Sequence, residues 1–149
     1  MIFARVVEGG IERISIIDKN KNFKDISKYL KDLNPETINF DILDKLKKIN
    51  LKDLPGIPNP KILSPINRVI DFLAVGLNYK AHAKETGKDA PKYPMIFMKA
   101  PTSSQAAGDP IVIPRFLRSD KVDYEGELGV VIGKPCKNVK PEDALSYVL

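Results

Sequence analysis

Pro55, Pro58, Pro60 and Pro65 fall within one short stretch, and no feature of this 149-residue chain restricts its fold more. Proline lacks a backbone N–H and locks φ, so such a run excludes a helix interior and a central strand. Residues 56–66 therefore read as a linker between an N-terminal unit, 1–55, and a second unit, 67–149. In the first unit, residues 2–7 and 11–17 alternate like strands around Glu8, Gly9 and Gly10, the pattern of a β-hairpin. Ile26, Tyr29, Leu30 and Leu33 then follow at the spacing of one helical stripe. Asn34-Pro35-Glu36 has the residue types of a helix start, and the helix it opens is expected to bury Ile38, Ile42, Leu46 and Ile49. The expected class is α+β, beginning with a small hairpin-plus-helices unit.

The second unit is expected to contain strands at 69–75, 93–99, 111–113 and 122–132. Between the first two lies a short helix over 79–86, with Asn78 as its cap and Gly87 as its stop. A last helix starts at Lys140-Pro141 and runs to Leu149, where no Gly, lysine or polar tail follows. The apolar uncapped end reads as a truncation.

Composition narrows the function. The chain is 43% hydrophobic, enough for one sizeable core or two small ones and too much for a disordered chain. Its net charge of +5 is spread thinly. The densest basic stretch, 45–52, interleaves its lysines with apolar residues at helical spacing, as on a solvated helix face. Aromatic residues do not alternate with basic ones, so no nucleic-acid partner is expected. The single cysteine, Cys136, excludes an intrachain disulfide and a cysteine-rich zinc site. No basic leader with a long apolar stretch opens the chain, and no apolar run is long enough to cross a bilayer. A soluble, cytoplasmic protein without a membrane partner is the expectation.

The residues that carry chemistry lie in the second unit. On a strand over 122–132, Asp123, Glu125 and Glu127 share one face, while Tyr124, Leu128, Val130 and Ile132 share the other. Three carboxylates on one face repel one another, and a bound cation offsets that repulsion. The solvated outer face of an antiparallel sheet tolerates the same pattern. Oxygen donors favour hard ions, so Mg²⁺ or Mn²⁺ suits the site better than Zn²⁺. His82 and Glu85 are three residues apart and share a helix face, the arrangement of a general base steadied by a carboxylate. An exposed His–Glu pair of no function has the same spacing. Lys99 closes the apolar strand Met95-Ile96-Phe97-Met98, as an anion anchor or as a plain surface charge. The polar loop 99–104 after that strand is a usual place for substrate contacts. No phosphate-binding glycine loop or serine-hydrolase elbow is present.

In order and together, Val75-Gly-Leu-Asn-Tyr79, His82-Ala-Lys-Glu85, Pro94-Met-Ile-Phe-Met-Lys99 and Asp123-Tyr-Glu-Gly-Glu-Leu-Gly-Val-Val-Ile-Gly133 resemble the fumarylacetoacetate hydrolase family. The resemblance covers roughly residues 60–149. It implies a mixed β-roll catalytic domain, of which 67–149 is the first part, and a homodimer when full length. It implies Mg²⁺ or Mn²⁺ held by Glu125 and Glu127, with Asp123 not expected as a ligand. His82 and Glu85 become a water-activating dyad on a mobile lid, and Lys99 a lysine beside the substrate. Asn78, Tyr79 and Ser103 are expected to contact it. The implied reaction is hydrolysis or decarboxylation at C–C bonds of small 2-oxo acids or acylpyruvate-type 1,3-dicarbonyls. Alternatives are a dehydratase or isomerase of 2-keto-3-deoxy acids, or an inactive fragment that serves in association. Members normally place a third carboxylate ligand and a further catalytic lysine downstream of the Glu-x-Glu strand, and this chain ends at Leu149 before them.

Overall fold

The structure is a computed structural model that describes residues 1–116 and 119–149. Its organising element is a five-stranded antiparallel sheet in the order β4-β3-β2-β1-β5. β1 (Ile2–Glu8) and β2 (Ile11–Ile17) form the expected hairpin, closed by Glu8 opposite Ile11. Gly9 and Gly10 take φ of 56° and 79°, the left-handed conformation that a two-residue hairpin turn demands. β3 (Phe23–Asp25) extends the sheet beyond β2.

Both outer strands come from the proline-rich stretch. β4 (Gly56–Ile57) pairs with β3, and β5 (Lys61–Ile62) pairs with β1. Prolines beside two-residue strands at the sheet margins remove no central hydrogen bond. The stretch therefore crosses the whole N-terminal sheet from one edge to the other.

Strand parity builds the core. Phe3 opposite Ile16 and Arg5 opposite Ile14 face one side. There Ile14 and Ile16 are buried with Ile26, Leu30, Leu33, Leu46 and Leu54. Ala4 and Val6 face the other side and pack with Ile57. Each buried Val, Leu or Ile side chain among these contributes about 1.5–3 kcal/mol relative to exposure.

Two helix expectations in this unit need correction. The stripe at 26–33 buries Ile26, Leu30 and Leu33, but it forms a single turn closed by Tyr29 N and Leu30 N on Ile26 O, and Tyr29 stays exposed. One turn is the costly nucleus of a helix, and here it is held by that burial together with Ile26 N donating to Ile14 O and Ile14 N donating to Ser27 Oγ. Asn34 does cap, with Oδ1 accepting from Glu36 N and Thr37 N, but only a turn follows. α1 (Phe40–Leu46) starts later, capped by Asn39, whose side chain accepts from Ile42 N.

Downstream, β6 (Phe72–Gly76) and β7 (Met95–Lys99) make a two-stranded antiparallel ribbon. α2 (Lys80–Glu85) lies between them in sequence. The expected strands at 111–113 and 122–132 are not formed; only Ile132 makes a bridge, with Val148. A strand needs hydrogen bonds from a neighbour, and among the described residues the only backbone partner of these segments is the chain end, 147–149, which meets 131–133. The expected terminal helix is a 3-10 helix, Pro141–Tyr147. Its end folds back, with Gly133 N donating to Tyr147 O and Leu149 N to Val131 O. A Cβ on Gly133 would collide with the side chains of Leu149 and Phe40, so a larger residue here would require those side chains to shift. Lys134 Nζ sits 4.2 Å from the Tyr147 ring centroid and 5.6 Å from that of Phe40. Among the described residues, no helix is long and apolar enough to cross a membrane.

Candidate active site

The turn from β6 into α2 brings Asn78 and Tyr79 to the start of the helix. Leu77 adopts φ of 50°, a strained conformation for a side chain of its size. The helix cap is Tyr79, not the expected Asn78, and no side chain satisfies the first amides. Gly87 ends the helix as expected. Its φ is 69°, Gly87 N donates to Lys84 O, and Lys88 N donates to Ala83 O. The single Thr86 hydroxyl hydrogen is shared between the His82 and Ala83 carbonyls.

His82 and Glu85 are both exposed on α2, while Ala83 is buried beneath them. Their spacing puts them on one helix face, but among the described residues no hydrogen bond joins them. Lys99 ends β7, with its Nζ 5.9 Å from the Phe97 ring centroid. Ser103 ends the 3-10 helix Pro101–Ser103, where its hydroxyl donates to Ala100 O at 2.7 Å.

Glu125 and Glu127 lie exposed in the segment that forms no ladder. One contact ties that segment to the helix turn. Leu128 N donates to the Tyr79 hydroxyl oxygen at 3.1 Å. Tyr79 thus acts on the acidic segment's backbone, a role that its place in the sequence did not disclose. Among the described residues, no three His, Cys, Asp or Glu side chains converge as a metal cage. Glu125 and Glu127 are exposed carboxylates two residues apart, the donor type that a hard divalent cation takes. A shallow groove of about 410 Å³ runs between the 26–31 turn and α1, lined in part by Tyr29, Thr37, Ile42 and Lys45. It shares no residue with this constellation.

Sequence reasoning missed a polar network in the N-terminal unit. Arg5 is only 6% exposed although it stands in a strand that otherwise reads as apolar. Its guanidinium donates to Asp32 Oδ1 at 2.9 Å, Glu12 Oε2 at 2.8 Å and Ser64 O at 3.1 Å. Burial pushes the Asp32 carboxyl up. Hydrogen bonds from Asn67, Asn34 and Arg5, with the Arg5 charge, outweigh this and hold it below its ordinary value. No local pattern signals such a network, because its members come from 5, 32, 34 and 67.

Comparison with known proteins finds relatives of this chain. Residues 71–149 match the family model described as fumarylacetoacetate (FAA) hydrolase C-terminal. A Burkholderia ambifaria protein named "Putative hydrolase" is 38% identical over 149 residues, covering 99% of this chain and 52% of its own length. A Burkholderia multivorans relative is 39% identical over 140 residues, covering 93% of this chain and 49% of its own. The chain thus spans about half the length of the curated relatives it matches. Fumarylacetoacetate hydrolase from psychrophilic Exiguobacterium antarcticum superposes with a TM-score of 0.76 at 26% identity, over 98% of this chain and 52% of that one. With more than half of its residues inside the family model, the chain belongs to the fumarylacetoacetate hydrolase family.

Proposed function

We propose that this chain supplies the front part of the active site of a Mg²⁺- or Mn²⁺-dependent enzyme that cleaves C–C bonds in small 2-oxo acids or acylpyruvates. One observation carries the reading. Asn78, Tyr79, His82, Glu85, Lys99, Ser103, Glu125 and Glu127 all fall within the matched residues 71–149, and the Tyr79–Leu128 bond joins the α2 turn to the acidic segment. The hydrolase name of the relatives supports the same class.

Glu125 and Glu127 are the residues that would hold the cation. When bound, it supplies Lewis acidity to the substrate's carboxylate and carbonyl oxygens. His82, steadied by Glu85, takes a proton from water, and the resulting hydroxide adds to the ketone carbon. The C–C bond then breaks, its electron pair leaves as an enolate, and a proton completes the product. Lys99 neutralises the substrate anion, with Asn78, Tyr79 and Ser103 orienting it. Decarboxylation needs the enolate half alone, and dehydration of a 2-keto-3-deoxy acid draws on the same enolate.

Glu125→Gln in the full-length gene product tests the reading. Calorimetric Mn²⁺ titration and turnover of acylpyruvates and oxaloacetate are expected to fail together. Unchanged turnover would remove Glu125 from the metal and the reading with it. The bare ribbon of β6 and β7 favours a second reading, an association domain without turnover. In that case the full-length product binds its partner but processes none of these substrates.

A further inference from the structure

Two side chains from the N-terminal unit hold the loop that follows β7, at positions remote in sequence. The segment they come from is itself fastened. β5 pairs with β1 through Val6–Ile62 and Val7–Lys61, and Leu63 N donates to Arg5 O at 2.8 Å. The buried Arg5 guanidinium donates to Ser64 O, Asn67 Nδ2 donates to Asp32 Oδ2 at 2.9 Å, and Asn67 N donates to Leu33 O at 2.7 Å. Residues 61–67 are thereby part of the N-terminal framework.

From this framework Ser64 Oγ reaches Ser104 Oγ at 2.6 Å. Ser64 Oγ also lies 3.1 Å from Ile66 O, which can only accept. The single Ser64 hydroxyl hydrogen goes to that carbonyl, so Ser104 donates to Ser64. Lys61 Nζ lies 2.6 Å from Asp109 Oδ1. These contacts grip the loop beside Ser103 and again at its far end. Within it, Ser104 N donates to Pro101 O and Asp109 N to Ala106 O.

We infer that Ser64 and Lys61 are positioning residues, through which the N-terminal unit holds loop 100–109, and with it Ser103, against the substrate. The functional half of this inference rests on the proposed activity; the mechanical half does not. The Lys61–Asp109 pair is half exposed and screened, so the hydroxyl bond carries more of the effect.

The test has two arms. Hydrogen exchange on the 149-residue chain compares Ser64→Ala, Ser104→Ala and Lys61→Met with the parent. Peptides covering 100–109 are expected to exchange faster while β1 and β2 keep their protection, and Ser64→Thr is expected to restore the parent rate. Ser104→Ala removes the same bond from the loop side, so it serves even if Ser64→Ala disturbs the sheet. Unchanged loop exchange in Ser104→Ala overturns the inference. In the full-length product, Ser64→Ala is expected to raise KM roughly threefold to tenfold, the worth of one hydrogen bond, with little change in kcat. Faster loop exchange with unchanged KM overturns the link to substrate. Absence of turnover in the parent protein refutes the proposed activity instead, and the exchange arm then decides the clamp alone.

Discussion

The Tyr79 hydroxyl oxygen accepts a hydrogen bond from Leu128 N at 3.1 Å, joining the start of α2 to the acidic segment across 49 residues of sequence. The acidic segment has no ladder of its own beyond Ile132, so this bond is one of few constraints on Glu125 and Glu127. Tyr79→Phe keeps the ring and loses the bond, a net change of about 1 kcal/mol. Faster exchange of the Leu128 amide is expected, with Mn²⁺ affinity in the full-length product reduced several-fold. An amide that exchanges at the parent rate would show that the bond does not order the segment.

His82→Ala separates two chemistries. Removing a general base slows a water-dependent step by about 10²–10⁴-fold. Hydrolysis of an acylpyruvate is expected to show that loss, with Mn²⁺ binding retained. Oxaloacetate decarboxylation needs no attacking water and is expected to suffer less. Parallel loss in both reactions would take His82 out of the water-activating role.

Asp32 makes the N-terminal unit sensitive to acid. Its folded pKa lies below the ordinary value of 3.8, so its stabilising contribution is complete above that value and disappears as pH falls through the lower folded one. Asp32→Asn is expected to cost about 2 kcal/mol near neutral pH, because buried Arg5 loses its counter-charge and the new amide nitrogen cannot accept from Asn34 and Asn67 as Oδ2 does. The gap from the parent should close in strong acid. Urea unfolding near neutral pH and in acid strong enough to protonate Asp32 in the folded chain reads both values. A gap of equal size at both would assign the cost to packing, not to charge.

The β6–β7 ribbon should make the 149-residue chain sticky. Leu73, Val75, Ile96 and Met98 share one face and are 41–66% exposed, while Phe72, Met95 and Phe97 line the other. A two-stranded ribbon with two bare faces and, among the described residues, no further strand on its edges is marginal alone and invites association. Strong binding of a hydrophobic dye and concentration-dependent assembly are expected by fluorescence and light scattering. Ile96→Glu with Met98→Glu should reduce both and leave β1 and β2 protected. Dye binding that does not change would put the sticky surface elsewhere.

Local pattern disclosed a definite part of this molecule. The Gly9-Gly10 turn between alternating runs specified the hairpin, because only glycine accepts that turn so readily. Gly87 marked the helix end for the same reason. Elsewhere the pattern was ambiguous. Ile26, Leu30 and Leu33 are buried as their spacing required, yet one turn suffices to bury them. Parity along 122–132 assumed a ladder, and a ladder depends on a neighbour that the segment itself does not specify.

The sequence by itself determined the N-terminal hairpin, the apolar positions of its core and, through four ordered motifs, the family. Those are consequences of backbone conformational preference and side-chain order, which are local. Tertiary structure alone decided that the proline-rich stretch forms both edges of the first sheet. It also decided that Arg5 is buried against Asp32 and Ser64, and that Tyr79 meets Leu128. Each depends on groups distant in sequence arriving together, and on a desolvated charge finding partners that no short window contains.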